Sequence, residues 1–407
     1  MGASRGASRG STLFYLIRKK RSIYDGIDTV LAPPAGHFFL LGPRGTGKST
    51  WLRAMFPDAL AIDLLDPAEE RALVARPESL RERVAALKKP SVVVLDEVQR
   101  APEVLTVVHA LIERKGGHRF VLTGSSARKL RRTGTDLLGG RAVRCTMHPF
   151  LAVELGARFD LGEALRCGLV PGIVMAPEPL RALQAYVGLY MREEVKAEGL
   201  VRNLASFGRF LEAMSFAQGQ PLNLANVSRE CEVSRATVDG YLEVLEDMLI
   251  GYRLPVFSRR AQRHLVGHPK FYWFDAGVYR SVRPSGPLDA PEGIEGHALE
   301  GLVAQHLRAW IDYSVGDLSL HYWRTKSGVE VDFVVYGKDG FWAIEVKNGR
   351  RVAQSDLRSL KAFGEDYPQA RRVLLYRGRE RTVRDGVLCL PVEEFLVGIR
   401  PGADLPS

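Results

Sequence analysis

The segment HFFLLGPRGTGKST, residues 37–50, constrains the fold of this chain more than any other stretch. An apolar run from His37 to Leu41 predicts a buried strand that leads directly into Gly42-x-x-x-x-Gly47-Lys48-Ser49. The glycines of such a loop let backbone N–H groups surround phosphates, and STWLRAMF predicts the helix that follows. The residues expected to contact a nucleotide are Gly42, Pro43, Arg44, Gly45, Thr46, Gly47, Lys48, Ser49 and Thr50.

Side chains of this loop and two acids further along the chain predict ATP and Mg²⁺ as ligands. Lys48 is expected to reach the β and γ phosphates, and Ser49 is expected to bind the metal. In SVVVLDEVQR (91–100) an apolar strand ends in Asp96 and Glu97, at the carboxyl edge where parallel sheets bind ligands. We expect Asp96 to hold the water shell of Mg²⁺ and Glu97 to orient the attacking water.

Further strand candidates and motifs follow in a set order. ALAIDLLD (59–66) and RFVLTGSS (119–126) are strand candidates. The order G-P-R-x-x-G-K-S, D-E-x-Q, T-G-S and G-R resembles the AAA+ (P-loop) ATPases, and more narrowly ATP-binding proteins of the DUF4143 type. The resemblance spans nearly the whole chain and implies an additional strand between the phosphate-loop strand and the Asp-Glu strand. It also implies that Thr123 to Ser125 sense the γ phosphate, which makes Ser125 a candidate catalytic residue.

The same resemblance implies an arginine finger at Arg141, directly before the apolar segment AVRCTM (142–147). Such an arginine reaches the nucleotide of a neighbouring subunit, where it neutralises charge on the transferring phosphoryl group. Arg128, Arg131 and Arg132 are close by in the sequence and remain alternatives. A finger that acts between subunits requires a ring or a dimer, and the expected assembly is a homo-hexamer.

Residues 149 to 203 change to a helical pattern. It is clearest in EPLRALQAYVGLYMREEV (178–195), whose leucines and tyrosines are spaced for one helix face. The region resembles the helical lid of such ATPases. Most of its aromatic side chains are expected to lie in the core.

The segment NLANVSRECEVSRATVDGYLEVLEDMLIGYRLP (223–255) predicts a helix, a tight turn and a second helix. Ser234 is a suitable N-cap, and apolar residues follow on one face: Val238, Leu242, Leu245 and Leu249. We interpret the shape as a helix-turn-helix within a winged helix. Its outward residues are acidic, which argues against base recognition by the second helix: Asp239, Glu243, Glu246 and Asp247.

The next stretch, residues 251–274, is basic and contains no acid. As a wing it would bind the phosphates of DNA, in a sequence-independent and salt-sensitive mode. The alternative is a spacer or a protein contact between the ATPase and the C-terminal domain. The candidate DNA-binding residues are Arg253, Arg259, Arg260, Arg263 and Lys270.

A new α/β pattern follows RPSGPLDAPEGIEG (283–296), which has the composition of a linker. A helix from about Ile294 to Trp310 carries Glu300. The next predicted elements are the strands LSLHYWR (318–324), EVDFVVY (330–336) and FWAIEVK (341–347), a helix near 353–363 and the strand RRVLLY (371–376). Because side chains alternate along a strand, Glu345 and Lys347 share one face.

This order of elements, with Glu300, Asp332, Glu345 and Lys347, resembles the nuclease superfamily named for its PD-(D/E)xK core. The resemblance implies that Asp332 and Glu345 bind Mg²⁺, that Lys347 positions water or stabilises the transition state, and that Glu300 supports the metal from the helix. A Glu-x-Lys pair is also an ordinary polar strand face. Some members of this fold use the site only to hold DNA or another domain, so DNA cleavage stays open.

The amino-acid composition favours some partners and cellular locations over others. The chain has 407 residues with 57 Lys and Arg against 47 Asp and Glu, and this net charge of +10 favours a polyanionic partner. Its 4 cysteines have no CxxC spacing, which predicts neither a disulfide framework nor a zinc site and fits a reducing cytosol. No apolar run approaches the roughly 18 residues of a membrane span, so the expected location is cytoplasmic and nucleoid-associated. Residues 1–11 are expected to be disordered, and the basic stretch 5–21 could contact nucleic acid or be simply solvated.

The combined prediction is an α/β multidomain protein: an AAA+ P-loop parallel sheet with a helical lid, a winged helix and a restriction-endonuclease-like α/β domain. The expected boundaries are an N-terminal tail and helix at 1–35, the ATPase core at 36–150, the lid at 151–203, the winged helix at 204–285 and the nuclease-like domain at 286–407. The expected function is a DNA-stimulated ATPase motor that remodels double-stranded or branched DNA in repair or branch migration, with a Mg²⁺-dependent nuclease-like domain. The alternatives are an ATP-operated switch in defence or stress signalling and a DNA-binding regulator whose nuclease-like domain is inert.

Overall fold

The structure is a computed structural model that describes residues 22–24, 27–125, 140–190, 203–259 and 267–406. Several predictions fall on residues outside these ranges. They are the disordered tail with its basic stretch, the alternative finger residues Arg128, Arg131 and Arg132, and the wing residues Arg260 and Arg263.

The N-terminal part of the chain forms a small ribbon and a parallel sheet with helices. The ribbon pairs β1 (Ser22–Tyr24) with β2 (Ile27–Asp28) in antiparallel fashion. The next elements are β3 (His37–Leu41), α1 (Lys48–Met55), β4 (Leu60–Asp63), α2 (Pro67–Ala75), α3 (Ser79–Ala85), β5 (Val92–Asp96), a 3₁₀ turn (Val98–Arg100), α4 (Val104–Glu113), β6 (Arg119–Gly124) and β7 (Ala142–Thr146). All pairings in the sheet are parallel, in the order β4-β5-β6-β3-β7.

This strand order places β6 between β3 and β5, where the resemblance to AAA+ ATPases implied an additional strand. Alternation along β3 sends Phe39 and Leu41 to one buried face and Phe38 and Leu40 to the other, where Trp51 of α1 covers them. A parallel sheet buried on both faces requires such continuous apolar runs. The loops after β3, β5 and β6 therefore meet at one edge of the sheet.

Short helices follow in residues 151–190. They are α5 (Ala152–Leu155), α6 (Leu161–Cys167), α7 (Pro171–Val174), α8 (Pro179–Ala185) and a π-helical turn (Tyr186–Tyr190). The long helix predicted over 178–195 is thus α8 continued by a π turn, and its remainder lies outside the described residues.

The middle of the chain contains three helices and a two-stranded antiparallel sheet: α9 (Leu204–Phe216), α10 (Leu224–Cys231), α11 (Arg235–Asp247), β8 (Gly251–Leu254) and β9 (Lys270–Trp273), followed by α12 (Ala276–Val282). The predicted N-cap is confirmed, because Ser234 Oγ accepts a hydrogen bond of 3.1 Å from the backbone N–H of Thr237. Val238, Leu242 and Leu245 are buried as expected, whereas Leu249 lies past the end of α11 with φ of 60°. The name winged helix stays a prediction.

The C-terminal part forms a six-stranded mixed sheet. Its elements are α13 (Pro291–Tyr313), β10 (Leu318–Arg324), β11 (Glu330–Gly337), β12 (Gly340–Lys347), a 3₁₀ turn (Gln354–Leu357), α14 (Arg358–Asp366), β13 (Arg371–Tyr376), β14 (Thr382–Arg384), β15 (Val387–Pro391) and α15 (Val392–Gly398). The strand order is β10-β11-β12-β13-β15-β14. The predicted order of helix, strands, helix and strand is present, and β14, β15 and α15 extend it.

Helix α13 begins earlier than the sequence predicted, inside the supposed linker. Pro291 is its first residue and Glu292 lies in the first turn, both favourable at a helix N-terminus. The helix is buried between the C-terminal sheet and the segment after β7. There, His306 Nε2 accepts a 2.9 Å hydrogen bond from the backbone N–H of Ala152. None of the described helices, α13 included, combines the length and apolarity needed to cross a membrane.

Candidate nucleotide site and the C-terminal carboxylate cluster

The loop from Gly42 to Ser49 joins β3 to α1 and folds tightly on itself. Gly45 and Gly47 have φ of 80° and 87°, in the left-handed region that favours glycine. A Cβ on Gly42 would lie 2.7 Å from the carbonyl oxygen of Met147. The loop is closed by Thr46 Oγ1, which donates a 2.7 Å hydrogen bond to the carbonyl of Pro43.

The lysine of this loop points back into it. Lys48 is 5% exposed, and its Nζ donates hydrogen bonds to the carbonyl oxygens of Gly42 at 2.7 Å and Pro43 at 3.2 Å. Ser49 follows it in the first turn of α1. A buried ammonium beside the N-terminus of a helix is a donor set that fits the phosphates of a nucleoside triphosphate.

Thr123 connects the two acids at the end of β5. Its Oγ1 accepts a 2.9 Å hydrogen bond from the backbone N–H of Glu97 and donates one to the carboxylate of Asp96. Since β5 and β6 are parallel neighbours, their carboxyl ends bring these side chains together. Asp96 is 7% exposed and lies at the same sheet edge as the phosphate loop, where a Mg²⁺ ligand is expected.

The carboxylate of Glu97 is held by two polar side chains. Gln99 Nε2 donates to Glu97 and also to Ser125 Oγ, at 3.1 Å in the latter case. Ser125 Oγ in turn donates to Glu97 Oε2 at 3.3 Å. Gly124 leaves room for this arrangement, because a Cβ there would lie 2.7 Å from Gln99 Oε1. Gln99 belongs to the D-E-x-Q motif, but no role for it followed from the motif alone.

The segment after β7 packs directly on the phosphate loop. The backbone N–H of Gly172 in α7 donates to the carbonyl of Gly45 at 2.9 Å. The hydroxyl of Tyr186 donates to the carbonyl of Arg44 at 3.1 Å. These two contacts fix the position of the loop from the side of the short helices.

A small, partly open recess borders the start of α1. Its lining is mostly apolar, with a few polar groups, and it comes from four parts of the chain: Ile27, Thr29 and Leu31 before β3, Thr46, Gly47 and Trp51 at α1, Met147, His148, Phe150, Glu154 and Pro171 after β7, and Tyr313 at the end of α13. Burial raises the pKa of the Glu154 carboxyl to about 7, against the hydrogen bonds that it accepts from Leu151 and Val30.

Arg141 lies at the amino ends of the parallel strands, whereas the phosphate loop lies at their carboxyl ends. It precedes β7, whose first residue Ala142 pairs with His37 at the start of β3. Five residues of strand, about 17 Å, separate it from the end of β3. Its Nε forms an ion pair with Glu113. Arg141 therefore does not reach the nucleotide site of its own chain, and its role toward a neighbouring subunit stays a prediction.

Four acids meet in the C-terminal part, and we name them the carboxylate cluster: Glu300 of α13, Glu330 and Asp332 of β11, and Glu345 of β12. Asp332 Oδ2 accepts a 2.8 Å hydrogen bond from the backbone N–H of Val346. Lys347 Nζ lies 2.7 Å from Glu345 Oε1. The structure thus brings together the residues that the sequence predicted here and adds Glu330. Strand alternation could have identified Glu330, since it shares a face of β11 with Asp332.

A lysine from β9 enters this cluster. Lys270 has a side chain only 1% exposed, and its Nζ lies 2.5 Å from Glu330 Oε1, 3.2 Å from Glu300 Oε1 and 3.7 Å from Asp332 Oδ1. Tyr272, on the same face of β9, donates a 2.5 Å hydrogen bond to Glu300 Oε1. The prediction that Lys270 binds DNA is therefore wrong, because its charge is buried among carboxylates.

The charges of this cluster are strongly coupled. Burial by itself lowers the pKa of Lys270, but Glu300, Asp332 and Glu330 outweigh it, so the net pKa is raised and the ammonium persists. Burial raises the pKa of Glu300 to about 7 although Lys270 opposes the shift. Burial and the nearby Asp332 raise the pKa of Glu345 well above its ordinary value. Lys270 thus supplies a positive charge among the carboxylates of the cluster.

This arrangement does not fit the predicted Mg²⁺ site. Within the described ranges, no group of three or more His, Cys, Asp or Glu side chains is spaced to hold a metal ion. Lys270 Nζ lies where the carboxylate oxygens converge, and an ammonium there repels a second cation. The assignment of Asp332 and Glu345 as magnesium ligands is not supported, and no cleavage step follows from this geometry.

The other described residues of the basic stretch are also engaged. Arg253 forms two hydrogen bonds with Glu246 of α11, at 2.8 and 2.6 Å. The guanidinium of Arg259 lies 4.9 Å from the centre of the Tyr336 ring. Among the described residues, this stretch is therefore not an unpaired basic surface.

Three family models match consecutive parts of the chain. Residues 36–156 match an AAA domain, residues 158–289 match a domain of unknown function (DUF8612), and residues 295–395 match another domain of unknown function (DUF4143). The AAA match covers β3 to β7 with the phosphate loop and indicates a nucleotide-binding ATPase. The two other matches assign no activity.

Relatives of nearly the same length are uncharacterized proteins. One from Mycobacterium tuberculosis is 25% identical over 88% of this chain and 80% of its own length. One from Haemophilus influenzae is 23% identical over 78% of this chain and 80% of its own length. A crystal structure of a protein from Vibrio cholerae aligns over 89% of this chain and 95% of its own, with 12% identity and a TM-score of 0.19, which is too low to support a statement about fold.

Proposed function

We propose that this protein is an ATP-operated switch that binds ATP with Mg²⁺ at the phosphate loop and hydrolyses it slowly. Lys48 neutralises the β and γ phosphates, Ser49 and Asp96 hold the metal and its water, and Glu97 orients the attacking water. The metal offsets negative charge on the phosphates. The match to an AAA domain and the convergence of these residues at one sheet edge support this proposal.

The surroundings of Glu97 favour slow hydrolysis. Its carboxylate accepts hydrogen bonds from Gln99 and Ser125, so it is restrained before any water can be oriented. Arg141 is too far away to neutralise the phosphates of its own chain. Rapid hydrolysis therefore requires a conformational change that releases Glu97 from these hydrogen bonds, or a cation that reaches the phosphates.

One observation supports the proposed switch most directly: the helix α13 borders both the recess and the carboxylate cluster. At one end of α13, Tyr313 lines the recess beside the phosphate loop. Further along the helix, Glu300 pairs with Lys270. The two residues are 13 positions apart, about 20 Å along the axis. A nucleotide that repositions Tyr313 therefore alters the contacts of the middle and C-terminal parts.

Hydrogen–deuterium exchange of residues 291–313 tests this function. After bound nucleotide has been removed, we expect added ATP to slow exchange there in the wild type and in Glu97→Gln, which keeps the phosphate contacts. Lys48→Ala should show no ATP effect. We also expect nucleotide to remain bound through purification of the wild type, with turnover that DNA does not change. Unaltered exchange in α13 on ATP binding would exclude the switch.

A second candidate is the DNA-remodelling motor, favoured by the net charge of +10 and by the helix-turn-helix shape of α10 and α11. It would be a nucleoid-associated hexamer in which Arg141 reaches the nucleotide of a neighbour. Incubation with labelled linear, forked and four-way DNA, with and without ATP, distinguishes it. Strong stimulation of ATP turnover by DNA, abolished in Lys48→Ala, would establish the motor and displace the switch.

A further inference from the structure

An open cleft is lined by the start of α6 and by residues that follow β12, β13 and β15. It has a volume of about 430 Å³, within the range of about 300–1,000 Å³ that is typical of small-molecule sites. Because β13 pairs in parallel with both β12 and β15, the carboxyl ends of these strands meet at one edge, where open α/β sheets commonly bind ligands. The cleft also joins two parts of the chain that match different family models.

Three arginines line this cleft: Arg350 after β12, and Arg377 and Arg379 after β13. Arg377 is already paired, since its Nη1 lies 2.7 Å from Glu295 Oε1. Arg350 and Arg379 are exposed, and within the described ranges neither side chain forms an ion pair or a hydrogen bond. The cleft therefore presents two unpaired guanidinium groups, whose fork of N–H donors matches a phosphate group.

The loops that carry these arginines are fixed to each other. The backbone N–H of Arg377 donates to the carbonyl of Gly349 at 3.0 Å. A Cβ on Gly378 would lie 2.0 Å from the ring of Tyr376 and 2.9 Å from the carbonyl oxygen of Arg350, so the two loops approach as closely as glycine allows. The arginine side chains thus extend from a fixed backbone, which reduces the entropy lost when they bind an anion.

Two carboxylates also line the cleft. They belong to Asp160, the N-cap of α6, and to Glu393 in the first turn of α15. A carboxylate accepts hydrogen bonds from hydroxyl groups but repels a continuous polyanion. Among the described residues no aromatic side chain lines the cleft, so a nucleotide base finds no ring to stack on. The lining therefore fits a small ligand that carries both a phosphate group and several hydroxyl groups.

We propose that this cleft is a binding site for a small sugar phosphate. Arg350 and Arg379 bind the phosphate group, and the carboxylates of Asp160 and Glu393 accept hydrogen bonds from the sugar hydroxyls. Since the ligand contacts α6 as well as the loops of the C-terminal sheet, it also stabilises the packing between these two parts of the chain. This inference does not depend on the proposed nucleotide switch.

Isothermal titration calorimetry of the full chain carrying Lys48→Ala tests the proposal, because this substitution weakens phosphate binding at the phosphate loop. We expect ribose phosphate or glucose phosphate to bind more tightly than inorganic phosphate, and ribose alone not to bind. Arg350→Ala and Arg379→Ala should each weaken the binding of the sugar phosphate about tenfold or more. Arg351→Ala is the matched control: it removes the same charge one position away, from an exposed side chain that does not line the cleft, and should bind as before.

Glu393→Ala separates recognition of the sugar from attraction of any anion. Inorganic phosphate should bind no more weakly to this variant, because a repelling charge is gone, whereas ribose phosphate loses a hydrogen-bond acceptor. We therefore expect the ratio of the two affinities to fall. An unchanged or higher ratio would overturn the proposal, as would equal losses in Arg350→Ala and Arg351→Ala, or no binding of either sugar phosphate. Duplex DNA that binds more tightly than both sugar phosphates and depends on Arg350 would also overturn it, since the cleft would then serve a polyanion.

Discussion

Tyr313 accepts a 2.9 Å hydrogen bond on its hydroxyl from the backbone N–H of His148. The preceding residue, Met147, donates its N–H to Leu41 at the end of β3, and its carbonyl packs on Gly42. A second contact, 2.6 Å between His148 Nε2 and Asp312 Oδ2, fixes the same turn of α13. The last turn of α13 is thus connected to the phosphate loop through two consecutive residues.

Replacing Tyr313 with phenylalanine tests this connection. The N–H of His148 loses its acceptor in a mostly buried position, so we expect the free energy of unfolding to fall by about 1 kcal/mol. We also expect weaker ATP binding, because Met147 and the recess are no longer held from the α13 side. Urea unfolding and ATP titration measure the two effects.

Tyr367→Phe is a suitable control for that variant. It also removes a tyrosine hydroxyl bond, 3.0 Å to the carbonyl of Arg259, but in the C-terminal part and away from the phosphate loop. ATP affinity should stay unchanged in this control. If both variants weaken ATP binding equally, the hydroxyl of Tyr313 has no specific role at the nucleotide site.

A second prediction concerns Thr123, whose hydroxyl contacts Asp96 and the backbone of Glu97. Thr123→Val keeps the shape of the fully buried side chain but removes the hydroxyl that joins Asp96 to the backbone of Glu97. We expect ATP turnover to fall by about 10²-fold, because the carboxylates shift relative to the phosphates. ATP binding should change much less, since Lys48 and the loop are untouched. Thr106→Val, on the exposed side of α4, is the control and should behave like the wild type. Unchanged turnover in Thr123→Val would remove Thr123 from the proposed mechanism.

The first half of the chain could be predicted in detail because its motifs are local. Gly42 to Ser49 must follow a strand and begin a helix, and the apolar runs of a parallel sheet leave little choice of fold. The N-cap at Ser234 was predicted on the same kind of evidence, whereas the strand between β3 and β5 was implied only by the resemblance to AAA+ ATPases. For the phosphate loop and the N-cap, the determining residues lie within a few positions of each other.

Lys270 could not be placed from sequence because its partners are distant along the chain. It follows basic residues, so charge patterning assigned it to a wing, while Glu300, Glu330 and Asp332 lie 30 to 62 positions later. One local signal was available: Lys270 begins KFYWF, and alternation puts Tyr272 on its side of the strand. A charge at the start of so apolar a strand requires a buried partner. Only the packing of β9 against α13 identifies which one.

Alanine substitutions at two glycines, Gly168 and Gly240, should change the free energy of unfolding in opposite directions. Gly168 ends α6 with φ of 78°, and a Cβ there would lie 1.9 Å from Asp275 Oδ1. Asp275 is buried and accepts a 2.7 Å hydrogen bond from the N–H of Leu169, so it cannot move away freely. We expect Gly168→Ala to cost about 2–4 kcal/mol. Gly240, inside α11 with open space around it, should gain about 0.5–1 kcal/mol as alanine. Chemical denaturation measures both, and equal effects in the two variants would contradict this account of Gly168.

His306 of α13 predicts how stability depends on pH. Its ring is fully buried, with Nδ1 2.8 Å from the carbonyl of Leu302 and Nε2 accepting from the N–H of Ala152. Both ring nitrogens are satisfied only in the neutral form, and burial lowers the pKa of His306 to about 4. In the unfolded chain this pKa is near 6.5, so between these values the unfolded state binds more protons. The contribution of His306 is therefore fully present above pH 6.5 and is lost as the pH falls toward 4.

The difference between these two pKa values corresponds to about 3 kcal/mol. Urea unfolding of the wild type and of His306→Gln across this range isolates the effect, because the carboxylates titrate in both proteins. The glutamine oxygen can accept the N–H of Ala152 but carries no proton over this range. We expect the free energy of unfolding of the wild type to decline more steeply than that of the variant as the pH falls from 6.5 to 4. Parallel curves would mean that His306 becomes protonated in the folded protein, and that its bond to Ala152 is not what joins α13 to the segment after β7.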